Sequence, residues 1–309
     1  MEYGFDIIVV LGPTAGGKTS FAARLAYELD GEVISADSRQ VYRKMDLGTG
    51  KDYQDYIVNG KEIPFHLIDI VDSGYKYNVY EYQNDFIKAY SSIRARNRIP
   101  VLCGGTGMYI EAVLKGYKLI HVPPDHALRE ELNKRSLEEL TNMLLDYKKN
   151  LHNTTDLVSK KRVIRAIEIA KYYSENSGVD FSYPQIKPLI FGIKFDRPTQ
   201  RKRITTRLKE RLEEGMIEEV IKLMNKGVSA EDLIYYGLEY KYITKYLTGE
   251  LSYDEMFTQL NTSIHQFAKR QMTWFRRMER KGFNIHWIDG HLPLQDKLIK
   301  ARKIINESA

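Results

Sequence analysis

An α/β fold is predicted: a parallel sheet core of the P-loop NTPase-like kind carrying a helical insertion domain. Three observations predict it. The apolar run Phe5-Asp6-Ile7-Ile8-Val9-Val10-Leu11 leads into Gly12-Pro13-Thr14-Ala15-Gly16-Gly17-Lys18-Thr19 and then into a helical pattern from Ser20 to Leu29. A buried strand, a glycine-rich turn and a helix, in that order, are the setting of the phosphate-loop pattern G-x-x-x-x-G-K-[ST]. Further strand-like and helical runs follow in alternation. Finally, a polar helical stretch stands between two strand-like runs, so the core is discontinuous: residues 1–120 and 186–309, with the insertion at 121–185.

The phosphate loop comes first because the other elements serve it. Its glycines let backbone N–H groups turn inward and line an anion nest. The helix that follows aims its positive end at the same spot. Lys18 adds a point charge, and the Thr19 hydroxyl suits Mg²⁺. The loop predicts a bound phosphate chain without saying whose.

Glu32 to Ala36 reads as a second strand, ending in Asp37-Ser38-Arg39-Gln40-Val41-Tyr42. A carboxylate past a strand end beside a phosphate loop stands where open α/β sheets keep active sites. Asp37 and Ser38 are equally good helix caps, and both readings stay open. Residues 43–60 read as a loop, His66 to Ile70 as a short strand, 79–97 as an amphipathic helix and Ile99 to Cys103 as a buried strand. That strand enters Gly104-Gly105-Thr106-Gly107, a second glycine-rich turn, before a helix from Met108. It does not end in the Mg²⁺-binding Asp usual in ATP-hydrolysing relatives, which argues against a motor or switch ATPase; Asp69 is a weak substitute.

Val122-Pro123-Pro124-Asp125 opens the insertion, whose thin apolar face is Leu128, Leu132, Leu137, Leu140, Leu144 and Leu145. Lys160 to Arg165 is a basic turn, Gly178 to Pro184 a loop, and Pro188 to Phe195 a strand of the core again. Residues 198–226 read as one long charged helix and Ser252 to Lys281 as another, in which Ala268 to Arg277 interleaves basic and aromatic residues. That stretch suits either a nucleic-acid face or helix packing with snorkelled arginines.

Composition sets bounds. Of 309 residues, 43% are hydrophobic and 28% charged, ordinary for a globular protein. A single cysteine, Cys103, excludes an internal disulfide or a cysteine metal cluster and is expected to be an inert core residue. No signal-like or membrane-length apolar run is visible, so a cytoplasmic protein is expected. The net charge of +6 is uneven: residues 1–117 carry 13 Lys+Arg against 15 Asp+Glu, and residues 197–281 carry 17 against 12. The basic excess outside the phosphate-loop segment fits a polyanion partner or a solvated helical surface.

Several motifs together resemble the tRNA dimethylallyltransferases, also called tRNA isopentenyltransferases. They are Gly12–Thr19, Asp37-Ser38-Arg39-Gln40-Val41-Tyr42, His66-Leu67-Ile68-Asp69-Ile70, Gly104-Gly105-Thr106-Gly107-Met108-Tyr109, Arg162 to Glu168, and Ala268-Lys269-Arg270-Gln271-Met272-Thr273-Trp274. They run in family order across nearly the whole chain. The second and last are the most specific.

The resemblance implies transfer of the dimethylallyl group of dimethylallyl diphosphate to N6 of the adenosine 3′-adjacent to the anticodon. Gly12, Pro13, Thr14, Ala15, Gly16, Gly17, Lys18 and Thr19 would hold the donor diphosphate, with Thr19 on Mg²⁺. Asp37 would be the base and Thr106 would hydrogen-bond near the bridging oxygen and the amine. The insertion would clasp the tRNA anticodon stem-loop. RNA contacts are expected from Asp37, Ser38, Arg39, Gln40, Thr106, Arg129, Lys161, Arg162, Arg165, Lys241, Lys269, Arg270, Gln271, Trp274 and Arg276. No oligomerisation element stands out, so a monomer is expected.

There are departures from the family. Gly16 stands where Ser is usual, an expected neutral change, and His265 where Arg is common. In Tyr236-Gly237-Leu238-Glu239-Tyr240-Lys241 the family has Gly-Tyr-Arg or Gly-Phe-Lys. An ungapped match puts Glu239 on the basic position; a two-residue insertion, with a local bulge, lets Lys241 reach the site. Glu239 motivates a non-catalytic tRNA-binding reading. A small-molecule or nucleotide kinase filling the loop with ATP is the other alternative.

Overall fold

The computed structural model describes residues 3–147, 157, 159–176 and 182–308. Its first half runs β1 (Ile7–Leu11), α1 (Lys18–Glu28), β2 (Gly31–Ala36), a 3₁₀ turn at Tyr53–Tyr56, β3 (Ile57–Val58), β4 (Lys61–Glu62), β5 (Phe65–His66), α2 (Val79–Ala95), β6 (Ile99–Gly104) and α3 (Gly107–Lys115). Then come α4 (His126–Leu132), α5 (Leu137–Tyr147), α6 (Lys160–Glu175), β7 (Pro188–Lys194), α7 (Arg197–Glu213) and α8 (Met216–Asn225). The chain closes with α9 (Ala230–Tyr235), α10 (Leu238–Leu247), α11 (Tyr253–Arg280), β8 (Ile285–Asp289) and α12 (Leu294–Glu307). Two compact units form: Lys118–Pro184, against the expected 121–185, and the remainder.

In the larger unit a six-stranded sheet has the order β5-β2-β6-β1-β7-β8, every pair parallel. All of β1 is buried. Helices cover both faces of such a sheet, which is why its strand is a continuous apolar run. The core gathers Ile8, Val10, Phe21, Leu25, Val101 and Phe191. Because β2, β6 and β1 are neighbours, their carboxyl ends bring residues 12–19, 37–42 and 104–107 to one edge, the usual ligand edge of such sheets.

Several elements depart from expectation. The strand expected over His66 to Ile70 stops at His66, because Leu67 (φ 61°) and Asp69 (φ 57°) adopt left-handed backbone. The long helix expected over 198–226 is two helices, α7 and α8, broken at Gly215 with φ 101°. No bulge forms after Gly237: α10 starts at once. β8 and α12 had no sequence expectation. Residues 178–181 of the expected 178–184 loop lie outside the described residues.

The smaller unit packs α4, α5 and α6 around Leu132, Leu140, Leu144, Val163, Ile164 and Ile167. Leu137 and Leu145, expected on that face, are 41% and 40% exposed. Glu168, buried among the apolar groups, accepts the Asp125 amide at 2.6 Å and both Nε (2.9 Å) and Nη2 (2.8 Å) of Arg129.

Candidate active site

β1 delivers the chain to Gly12 (φ 156°), where a side-chain Cβ would come within 2.5 Å of the Ile193 carbonyl oxygen on β7. Ala15 (φ 56°) and Gly17 (φ 71°) are both left-handed and curl the backbone into a concave turn before α1. A Cβ at Gly16 would lie 2.9 Å from the Pro13 carbonyl oxygen. Glycine at this position keeps the turn clear of that carbonyl. The same oxygen accepts the Lys18 ammonium at 2.8 Å. Desolvation lowers the Lys18 pKa to about 8; Cys103 and Asp37 pull it up and Arg207 pushes it further down. Cys103 is buried, and burial pushes its thiol up to about 12, as expected of an inert residue.

The ends of β2 and β6 lie side by side, Ala36 opposite Gly104. Only glycine fits there, since a Cβ at Gly104 would sit 2.3 Å from the Ala36 carbonyl oxygen. That closeness lets the Thr106 amide donate to Ala36 at 3.1 Å and the Ser38 amide donate to Thr106 Oγ1 at 3.1 Å. Asp37 Oδ1 accepts the Arg39 amide at 2.8 Å. Turns rather than an α-helix follow Asp37, so it caps a turn and no helix. Lys18, Asp37, Ser38 and Thr106 are thus brought together at one sheet edge.

Several of the other expected RNA contacts have partners within the protein. Gln271 is buried: its Oε1 accepts the Thr14 amide at 2.9 Å and its Nε2 donates to the Gly105 carbonyl at 3.0 Å. It ties the phosphate loop to the second glycine-rich turn, and its amide is not free for RNA. Trp274 packs against Gly107, where a Cβ would meet its ring at 2.3 Å. Its indole N–H is buried without a hydrogen-bond partner. Gln40 is spent too, accepting from Ser35 Oγ at 2.9 Å and donating to the Gly50 carbonyl at 3.0 Å. Asp69, the weak substitute for a Mg²⁺-binding Asp, pairs at 2.5 Å with the buried Lys51. Arg129 and Arg165 both bind Glu168, and Arg165 also donates to the Val122 carbonyl at 2.8 Å. Lys161, Arg162, Lys269, Arg270 and Arg276 are exposed.

α7 supplies residues that sequence reasoning missed. Gln200 donates to the Thr14 carbonyl at 2.6 Å, and Arg203 Nε to the Ala15 carbonyl at 2.9 Å. Arg207 and Arg211 grip the two oxygens of Asp52, at 2.9 and 2.8 Å. The signal was in the spacing: Arg203, Arg207 and Arg211 recur every four residues and so share one helical face. A cleft of about 540 Å³ is lined by Ala15, Gly17, Ser20, Asp52, Arg203 and Arg207. A smaller recess of about 60 Å³ shares Ala15, Arg207 and Arg211 and adds Thr14 and Glu239.

Glu239, not Lys241, therefore lines the recess beside the phosphate loop. Two residues on a helix turn the side chain by about 200°, so with α10 starting directly at Leu238 the two point to opposite sides. The Lys241 ammonium lies 5.3 Å from the Tyr242 ring centroid. The expected entry of Lys241 fails because the helix absorbs no insertion. Burial raises the Glu239 pKa; Arg211 and Arg207 oppose this and Asp37 adds to it. The loop facing this recess is held by Glu219, which accepts the amides of Asp46 and Leu47 at 2.8 Å each and the Tyr240 hydroxyl at 2.6 Å.

Residues 40–278 match the model of the IPP transferase family, and residues 5–66 that of isopentenyl transferases. The chain is 60% identical over 302 residues to a tRNA dimethylallyltransferase 2 of Phocaeicola vulgatus, covering 98% of this chain and 97% of that protein. It is 52% identical over 304 residues to a tRNA dimethylallyltransferase 1 of Geotalea uraniireducens, covering 98% of each. The crystal structure of a tRNA isopentenylpyrophosphate transferase from Bacillus halodurans superposes with TM-score 0.72 at 31% identity, covering 98% of this chain and 96% of that one. A eukaryotic dimethylallyltransferase acting on tRNA shares the fold, with TM-score 0.77 at 21% identity over 98% of this chain and 80% of that one. With the phosphate loop, the Asp37 turn and Thr106 assembled at one sheet edge, and with these relatives along its whole length, the chain belongs to the IPP transferase family.

Proposed function

We propose that the protein transfers the dimethylallyl group of dimethylallyl diphosphate to N6 of the adenosine 3′-adjacent to the anticodon of tRNA. The observation that carries this reading is the meeting of Lys18, Asp37, Ser38 and Thr106 at the carboxyl ends of β1, β2 and β6. An anion nest and a carboxylate then face the same space. In the reaction the C–N bond forms as the allylic C–O bond breaks, and the diphosphate leaves with the electron pair. Lys18 and the loop amides stabilise the charge gathering on that leaving group. The exocyclic amine is a weak nucleophile, and Asp37 takes its proton as the bond forms. The target adenosine leaves its stack to reach Asp37.

Thr19 at the start of α1 is the residue to hold Mg²⁺, together with diphosphate oxygens. Among the described residues no cluster of three His, Cys, Asp or Glu forms a protein-only metal site. That agrees with a cation taking most of its ligands from substrate phosphates and water, as Mg²⁺ ordinarily does. Bound there, Mg²⁺ would supply further neutralisation of the leaving diphosphate. Exposed Lys161 and Arg162 on α6 and Lys269, Arg270 and Arg276 on α11 are the candidate phosphate contacts of the RNA. No helix among the described residues is long and apolar enough to cross a membrane, and we read the protein as a cytoplasmic monomer.

Glu239 beside the loop is the specific observation favouring a non-catalytic tRNA-binding protein. Incubation with labelled dimethylallyl diphosphate and bulk tRNA separates the readings. Label in N6-isopentenyladenosine supports transfer. Tight tRNA binding with no label would support the non-catalytic reading. ATP turnover would support a kinase.

A further inference from the structure

Tyr235 closes α9 with 45% of its surface exposed, while the next residue, Tyr236, is fully buried. A single exposed ring means little by itself. Here two cations stand over it: the Arg39 guanidinium at 5.5 Å and the Lys76 ammonium at 5.8 Å from the ring centroid. Arg39 belongs to the same turn as Asp37, whose carboxylate holds the Arg39 amide at 2.8 Å. The ring is thus tied to the turn that bears the proposed base.

The position of the ring is also fixed from below. Tyr236 meets Tyr235 edge-on at 5.6 Å and 76° and lies 4.5 Å from the Tyr42 ring. Its hydroxyl accepts the Gly74 amide at 2.5 Å and donates to the Tyr75 carbonyl at 3.2 Å. A rigid aromatic of this kind costs little entropy to use in binding. Lys76 is available: its side chain is 64% exposed and its pairing with Asp232 is long, at 3.9 Å.

We propose that Tyr235 is the stacking platform for a base flanking the target adenosine, with Arg39 and Lys76 holding the adjoining phosphates. The proposal rests on the RNA-modifying reading above and names its contact. Unpaired RNA is recognised by aromatic rings and arginine planes that stack on splayed bases, with cations along the backbone. A target base drawn out of its stack toward Asp37 leaves its neighbour without a partner, and an exposed ring beside that turn replaces it.

The test uses the full chain and an anticodon stem-loop RNA carrying 2-aminopurine next to the target adenosine. Tyr235→Ala should weaken RNA binding about tenfold or more, the scale of one lost stack. It should also abolish the change in 2-aminopurine fluorescence seen with the parent. Tyr235→Phe should bind within about twofold of the parent and Tyr235→Leu like Tyr235→Ala, because the π face rather than the hydroxyl or the apolar bulk is used. Lys76→Ala should lower the slope of log affinity against log salt by about 0.7. Parent-like affinity in Tyr235→Ala, or no RNA binding by the parent, would overturn the inference. Because the readout is binding, it decides the matter even without prenyl transfer. Tyr235-dependent RNA binding without labelled product would sink the proposed activity and leave this contact standing.

Discussion

Lys18 offers the sharpest quantitative test. Its pKa falls from 10.5 to about 8 in the folded protein, chiefly through desolvation. At about 1.4 kcal/mol per unit, keeping this partly buried ammonium charged at neutral pH costs at most about 3 kcal/mol. Lys18→Met removes that cost but leaves the Pro13 carbonyl without its 2.8 Å donor, a loss of about 1 kcal/mol. The variant should therefore be more stable than the parent at pH 7, by at most about 2 kcal/mol. The sign with pH follows from proton counting. Between the folded pKa near 8 and the unfolded value, the unfolded chain holds a proton the folded chain has released. Parental stability thus rises with pH across that window, and the advantage of Lys18→Met shrinks. Donor binding runs the other way. The diphosphate needs the charged form, so donor affinity should be flat below about pH 8 and then fall by nearly tenfold per pH unit. Urea unfolding of parent and variant at pH 7 and 9.5, with titration calorimetry of dimethylallyl diphosphate over the same range, measures both. A variant less stable than the parent at pH 7, or a donor affinity flat to pH 9.5, would refute the reasoning.

Four further outcomes follow from the geometry. Asp37→Ala should keep RNA affinity and lose about 10²- to 10⁴-fold in turnover; single-turnover rates within threefold of the parent would make Asp37 a turn cap only. Gln271→Ala cuts the tie between the Thr14 amide and the Gly105 carbonyl, so kcat/KM should drop about 10- to 100-fold through misplacement of the two loops, with RNA affinity nearly unchanged in a filter-binding assay. Glu239→Gln removes an acid from the recess at Thr14 and Ala15 and should tighten donor binding several-fold in calorimetry; weaker binding would mean that Glu239 instead orients Arg207 and Arg211. Arg129→Ala leaves the buried Glu168 short of two donors and should destabilise the insertion by roughly 1–3 kcal/mol in thermal unfolding, which a mere phosphate contact would not do.

The residues at the sheet edge were legible in the sequence because short-range rules govern them. Gly12 and Gly104 need backbone freedom or closeness that only glycine allows, and that need leaves a spaced glycine pattern. The basic residues were legible only as charges. Arg129, Arg165, Lys269 and Arg270 look alike along the chain, yet the first two are consumed by Glu168 and the last two are exposed. Gln40 and Gln271 belong to recognisable motifs, but their amides face inward across the fold, to Gly50 and to Thr14 and Gly105.

By itself the sequence determined the sheet core, the phosphate loop, the Asp37 turn and the interruption by a helical segment. Each rests on periodicity or on backbone constraints that act between near neighbours. Only the tertiary structure decided which cations face the loop. Arg207 and Arg211 line the recess with Thr14 and Ala15 because their four-residue spacing puts them on the one face of α7 that packs against it. Glu239 rather than Lys241 reaches it because α10 begins at Leu238 without a bulge, and two residues of helix turn a side chain to the opposite side. Such choices depend on helix phase and on contacts between residues distant in the chain, which local composition does not encode.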